Sequence, residues 1–316
     1  RSKDVMGPYT YHPDNPILSA KDSPAQYLQK TGHADFVQSP QGDWYMVFLA
    51  SRPLSERGRC ILGRETAIEQ LQWKGGWPYV TRPTQARKTI EIDATIKSTS
   101  NEKINQVYTF DAPELSHDFQ SLRIPKEESW CSLSQRKGYL RLIGKESLNS
   151  FHRQSMVARR LQHFNVKVST EVEFNPKNFL QMAGLVFYYN TGHYHYANIT
   201  ANYDGSKQYL SIVTADNYSM EFQEELVEVT AVKKIHLMGK LSGAHLQFFY
   251  ALEQGNHFHQ LGKPLDASIL SDDYVQQGGI HYRPAFTGCF VGMCCQDLAT
   301  QSQAADFKSF RYRAIN

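Results

Sequence analysis

The densest concentration of chemically capable side chains lies between Gly32 and Pro78, where a histidine, several arginines, three tryptophans and a few carboxylates crowd segments too short to form a domain alone. His33 sits between Gly32 and Ala34, small neighbours that let a backbone approach something closely. Taken alone it reads as a hydrogen-bonded structural histidine ahead of a ligand or catalytic group. Arg57, Arg59 and Arg64 are close in sequence, and on a strand Arg57 and Arg59 would share a face. From spacing alone a salt bridge is the leading reading for Arg64; the other is a reach into a cleft toward a hydroxylated ligand. Trp44, Trp73 and Trp77, with Phe286 further on, offer rings suited to stacking on a sugar, although isolated tryptophans more often belong to a core. Cleaving a glycosidic bond needs two carboxylates flanking it. Asp35, Asp43 and Glu65 are the acids near the dense stretch, and none reads as a buried acid.

Outside this stretch the chemistry is sparse. His193 and His195 alternate with Tyr194 and Tyr196, which places both histidines on one strand face, but no third metal ligand accompanies them. The five cysteines, Cys60, Cys131, Cys289, Cys294 and Cys295, include an adjacent pair and no Cys-x-x-Cys, so they read as buried free thiols of a reducing cytoplasm. No nucleophile elbow, phosphate loop or dinucleotide fingerprint occurs. The 316 residues carry a formal net charge of +3 with interspersed signs, which argues against a nucleic-acid partner. No apolar run approaches the roughly 20 residues of a helical membrane span. The opening Arg1-Ser2-Lys3 lacks an initiator Met and an export signal, and is expected to be an internal point of a longer protein.

The elements that must position these groups are strands. Prolines and turn formers exclude a helix from residues 1 to 31; Asp35-Phe36-Val37 and Trp44 to Leu49 then read as strands joined by Ser39-Pro40-Gln41-Gly42-Asp43, with a further pair around Gly63. The polar tract Arg82 to Gln106 reads as a surface segment or connection. Beyond Asp111, Val166 to Phe174 alternates apolar and polar side chains, and Leu185 to Tyr189, Tyr209 to Thr214, Ile235 to Met238, Leu246 to Tyr250 and Cys289 to Met293 are further strands. Turns separate them, including Gln254-Gly255-Asn256 and Gly278-Gly279. Only Glu221 to Lys233 hints at a helix. The chain is therefore expected to be all-β, with an antiparallel two-sheet sandwich in its second half.

At family level the sequence resembles glycoside hydrolase family 43 β-xylosidases. Gly7-Pro8-Tyr9, His12-Pro13-Asp14-Asn15-Pro16-Ile17-Leu18, Gly32-His33-Ala34-Asp35, Asp43-Trp44-Tyr45-Met46-Val47, Arg52-Pro53, Arg57-Gly58-Arg59-Cys60 and Leu62-Gly63-Arg64-Glu65-Thr66-Ala67 look like the end of that family's five-bladed β-propeller. Leu122-Arg123-Ile124-Pro125, Gly138-Tyr139-Leu140-Arg141-Leu142, Ala158-Arg159-Arg160, Met182 to Tyr189, and Phe286-Thr287-Gly288 running into Val291 to Asp297 are similar to the sandwich that follows it.

The resemblance implies a partial five-bladed propeller with its connecting segment over 1–110 and a concanavalin A-like antiparallel β-sandwich over 111–316. It implies an inverting exo-β-1,4-xylosidase acting on xylooligosaccharides, with side activity on α-L-arabinofuranosides and with homo-oligomerisation left open. The family's three carboxylates fall upstream of Arg1, so no catalytic group is expected in this chain, and its turnover alone is expected to fall short of the intact enzyme. What it implies for these residues is supporting roles: Arg64, with Arg57 in reserve, binding the terminal sugar, Phe286 closing the pocket, and His33 facing a channel calcium through water, no cofactor being required. A noncatalytic carbohydrate-binding sandwich is the competing reading, with Tyr188, Tyr194 and Tyr196 as its exposed aromatic row.

Overall fold

Turn-forming residues fill the first 28 positions, and regular structure begins with β1 (Gln29–Gln38), followed by β2 (Trp44–Ser51), β3 (Glu65–Lys74) and β4 (Trp77–Val80). The computed structural model describes residues 1–55, 58–92, 105–252, 257–277 and 285–315. The four strands form one antiparallel sheet in chain order. Ser39 N donates to Asp43 O at 2.8 Å and closes the β1–β2 connection. Gly75 and Gly76 join β3 to β4 with φ of +56° and +74°, left-handed angles that favour glycine at both positions of a two-residue hairpin. Met46, Phe48 and Ala50 alternate along β2 and pack with Leu18, Leu71 and Val80 into a small core. Glu69, wholly buried on β3, accepts from the Arg87 guanidinium, which ties the stretch after the sheet back onto it. These residues belong to the first of two units, Arg1–Thr99; the second is Ser100–Asn316.

The second unit opens with β5 (Asn105–Thr109), β6 (Gln120–Ser121), β7 (Cys131–Ser132), β8 (Leu140–Ile143) and β9 (Ser155–Arg160). Its long strands are β10 (Asn165–Phe174), β11 (Gln181–Asn190), β12 (His193–Ala201) and β13 (Gln208–Asp216). After β14 (Ser219–Phe222) and β15 (Val227–Glu228) come β16 (Ile235–Ser242), β17 (His245–Leu252) and β18 (His259–Asp266). A 3-10 turn, Ala267–Leu270, leads into α1 (Asp272–Gln277), and β19 (Phe290–Asp297) and β20 (Ala304–Ala314) complete the chain. One sheet runs β18-β17-β16-β10-β20-β8-β7 with β5 also on β20; the other runs β14-β13-β12-β11-β19-β9-β6 with β15 on β13.

Side-chain alternation explains why β10 belongs to a sandwich: Val166, Val168, Thr170, Val172 and Phe174 are buried, while Asn165 and Lys167 meet solvent. Strand β11 instead reads as a continuous apolar run from Met182 to Tyr189, and β12 is buried at every position, because both faces of each are covered. Phe187 points at the opposite sheet, where its ring meets Phe248 at 5.9 Å, and a Cβ on Gly239 would lie 2.4 Å from it. The alternate residues Val186 and Tyr188 join Tyr194, Tyr196, Met156 and Leu148 in a second cluster on the other face.

Two expectations change. The connecting segment does not reach residue 110, because β5 pairs Asn105 to Thr109 with Arg313 to Ser309 of β20 and so belongs to the second unit. The stretch 221–233 is not helical: Val227 pairs with Leu210 and Phe222 with Val213, and these ladders onto β13 override a weak local preference. The helix lies instead at 272–277, while the turns expected at 254–256 and 278–279 fall on positions outside the described residues. No helix among the described residues is long and apolar enough to cross a membrane.

Candidate functional site

Arg64 ends the turn Cys60–Gly63, whose Cys60, Ile61 and Leu62 are all buried and whose Gly63 adopts φ +68°. Burying those three residues anchors the turn, and the half-buried Arg64 guanidinium folds back so that Nη1 donates to Ser51 Oγ at 3.1 Å. Ser51 Oγ in turn donates to Gly63 O at 2.9 Å, so side chain and turn brace each other. Glu65 is paired with Arg52, whose Nε and Nη2 each meet it at 2.7 Å, while Arg52 Nη1 reaches Tyr27 Oη at 3.1 Å. Antiparallel pairing of Ala50 with Glu65 brings these partners together across thirteen positions. Arg57 lies outside the described residues, and Arg59 is not on a strand, since its carbonyl closes a loop by accepting from Leu54 N.

His33 is exposed on the edge strand β1, in the left-handed region at φ +47°, within the register shift against β2 that runs from Gly32 to Asp35. Among the described residues no three His, Cys, Asp or Glu side chains converge in a way that could hold a metal. The nearby acids hold structural posts: Asp35 Oδ1 accepts from Phe36 N at 2.8 Å, Asp43 closes the β1–β2 turn and Glu65 is paired with Arg52. Trp44 packs at the edge of the first unit's core and meets Trp73 edge-on at 5.6 Å. Trp73 and Trp77 line an open cleft of about 490 Å³ with Tyr9, Tyr11, His12 and Phe36.

In the second unit the paired histidines are structural. His195 is bonded at both nitrogens, to Thr214 Oγ1 at 2.9 Å and to Asp266 O at 3.1 Å, and burial pulls its pKa down to about 4. His193 Nδ1 lies 2.9 Å from Asn190 Oδ1, and burial lowers its pKa too. The aromatic row proposed for a binding sandwich does not exist as an exposed surface. Tyr188, Tyr194 and Tyr196 do share a face, but they are 2%, 2% and 1% exposed because Leu148 and its neighbours cover them. Tyr194 Oη donates to Asn149 Oδ1 at 2.6 Å and Tyr196 Oη to Cys294 O at 3.0 Å, which removes both hydroxyls from solvent.

Phe286 is different: it is 52% exposed, between the buried Ala285 and the buried Gly288. Gly288 adopts φ +70°, a left-handed turn that directs the chain into β19. An exposed aromatic on a fixed backbone is a ready contact for a flat apolar ligand surface. The neighbouring groups that fix it, Asp272 and Gln276, were not read from the sequence. The signal for their helix was Ser271-Asp272-Asp273, a helix-start pattern in which Ser271 Oγ accepts from Tyr274 N at 3.3 Å.

A four-stranded antiparallel blade followed by a two-sheet antiparallel sandwich defines an all-β protein of the propeller plus concanavalin A-like class. Residues 107–313 match the family described as "Beta xylosidase C-terminal Concanavalin A-like domain" and residues 1–78 match "Glycosyl hydrolases family 43". The chain belongs to the family of the beta xylosidase C-terminal concanavalin A-like domain, whose model matches more than half of it. It is 38% identical to a beta-xylosidase of Bacillus subtilis (strain 168), over 99% of this chain and 59% of that protein. It is 36% identical to a xylosidase/arabinosidase of Humicola insolens, over 100% of this chain and 58% of that protein. The crystal structure of a xylan beta-1,4-xylosidase from Bacillus halodurans C-125 superposes with a TM-score of 0.86 at 34% identity, covering 99% of this chain and 59% of that one. The chain thus spans about three fifths of the length of these relatives.

Proposed function

We propose that this chain is part of an inverting, exo-acting β-1,4-xylosidase for xylooligosaccharides, with side activity on α-L-arabinofuranosides. Within the first unit Arg64 is the residue proposed to bind sugar hydroxyls, and within the second Phe286 is the residue proposed to offer a sugar an apolar contact. The acid that protonates the leaving oxygen and the base that activates water come from sequence outside these 316 residues. The observation that carries the reading is the match to xylosidases along essentially the whole chain. The Asp35 carboxylate bonded to Phe36 N and the Glu65 carboxylate paired with Arg52 support the placement of the acid and base elsewhere. All five cysteines are free and buried, with burial pushing the Cys294 thiol up to about 12, which supports a reducing compartment such as the cytoplasm.

The test is proton NMR of aryl β-D-xyloside hydrolysis, in which xylose is the single sugar released, run on these 316 residues alone and on a polypeptide carrying the relatives' preceding segment as well. Release of α-xylose by the longer polypeptide, with none from the shorter one, is the expected result. Turnover of an aryl xyloside by the shorter chain would overturn the placement of the carboxylates, and β-xylose as first product would overturn inversion.

A further inference from the structure

Phe286 is held by an arrangement that its own sequence neighbourhood does not explain. Gly288 N donates to Asp272 Oδ1 at 3.2 Å, and Gln276 Nε2 donates to Ala285 O at 3.0 Å. Both donor–acceptor pairs run between α1 and the stretch 285–288, one on each side of Phe286. Asp272 is fully buried, and the same Oδ1 accepts from Tyr189 Oη of β11 at 2.6 Å, so the tie continues into the sheet. The helix is pinned at a third point, where Tyr274 Oη donates to Asp216 Oδ2 of β13 at 2.8 Å. Ser271, also fully buried, donates from Oγ to Ser268 O at 2.7 Å and fixes the turn before the helix.

Taking a carboxylate out of water is costly, and the hydrogen bonds it accepts are part of what offsets that cost. Here they fasten the backbone beside a half-exposed aromatic rather than fill the interior of the sandwich. We infer that Asp272 and Gln276 are positioning residues for Phe286, holding Ala285 and Gly288 so that the ring is presented at a fixed place to the sugar. The inference deepens the proposed xylosidase reading and rests on it for the identity of the ligand. A ring on an untied backbone would have to be ordered by each substrate as it binds, which weakens binding without touching the bond-breaking groups. Asp272→Asn keeps an oxygen at Oδ1 for Tyr189 and Gly288, whereas Asp272→Ala removes it.

The experiment uses xylobiose kinetics in the active enzyme containing these residues, together with amide hydrogen exchange at 285–288. Expected are a KM raised about 5-fold in Asp272→Ala and a smaller rise in Gln276→Met, with kcat within about 2-fold in both. Asp272→Asn should stay near the parent, exchange at Gly288 should quicken in Asp272→Ala alone, and Asp272→Ala added to Phe286→Ala should cause no further loss. An Asp272→Ala enzyme with unchanged KM, while Phe286→Ala raises it, overturns the positioning role. So does a double variant whose two losses simply multiply, because the carboxylate would then act apart from the ring. If Phe286→Ala leaves KM unchanged, the sugar contact assigned to Phe286 falls; exchange at Gly288 then decides the tie separately, unchanged exchange in Asp272→Ala ending it. Should Asp272→Ala fail to fold, Gln276→Met carries the same KM and double-variant comparison.

Discussion

The two units bury their apolar side chains on different terms. In the second unit every long strand of one sheet faces the other sheet, and β11 and β12 are covered on both sides. The first unit has one sheet and a six-residue core cluster, while Tyr9, Tyr11 and Trp73 are 68%, 88% and 44% exposed and β1 is exposed over most of its length. A single antiparallel sheet can bury one face with the loops that cross it, and its other apolar groups need a further layer. The contrast teaches that aromatic content alone says little about stability. What counts is whether a second layer stands opposite.

The comparison is broken most severely by removing a side chain that spans the two layers. Phe187→Ala takes away a fully buried ring between Gly239 and Phe248 and should cost about 3–5 kcal/mol, read from denaturant unfolding followed by exchange in the second unit. A loss under about 1 kcal/mol would mean that the sheets do not pack through this ring.

Next comes Asp297, fully buried at the end of β19. Its carboxylate accepts from Gln181 Nε2, from the backbone N–H groups of Ala299, Thr300, Ser302 and Gln303, and from Thr300 Oγ1. Burial by itself would raise the pKa, but the hydrogen bonds from Thr300, Gln303 and Ser302 more than reverse this and hold it well below the ordinary carboxylate range. Asp297→Ala strands several donors and should cost about 2–4 kcal/mol at neutral pH. Because the folded-state pKa lies below the unfolded one, the stabilisation is complete above about pH 4 and is lost as pH falls from there toward the depressed value. The stability gap between parent and Asp297→Ala should therefore narrow below about pH 4; a gap constant down to pH 2 would show that charge is not involved.

The smallest effect is expected in the first unit. Trp73→Ser removes a ring that is 44% exposed and touches Trp44 and Phe36 edge-on. It should change stability by under about 1 kcal/mol yet lower the fluorescence of a bound hydrophobic dye. A large loss of stability would place Trp73 in a packed core and erase the contrast between the units.

Local pattern and residue identity settled a good part of the architecture. Val166 to Phe174 declares its inner and outer faces by alternation, and Ser39 to Asp43 declares a turn, since both depend on interactions between near neighbours. The family relationship was equally legible, because its motifs survive as short strings in a fixed order. Tertiary structure decided the rest. Tyr188, Tyr194 and Tyr196 share a face as their positions require, but only the packing of Leu148 over them turns a candidate binding row into a core. Glu65 meets Arg52, thirteen positions away, because strand pairing rather than distance along the chain brings the two together. Phe286 drew attention as a residue type, whereas Asp272 and Gln276 acquired meaning only once a helix and a returning chain lay side by side. Short-range propensities are written in the order of the residues, but a hydrogen bond between segments that meet only after folding depends on the whole chain's packing.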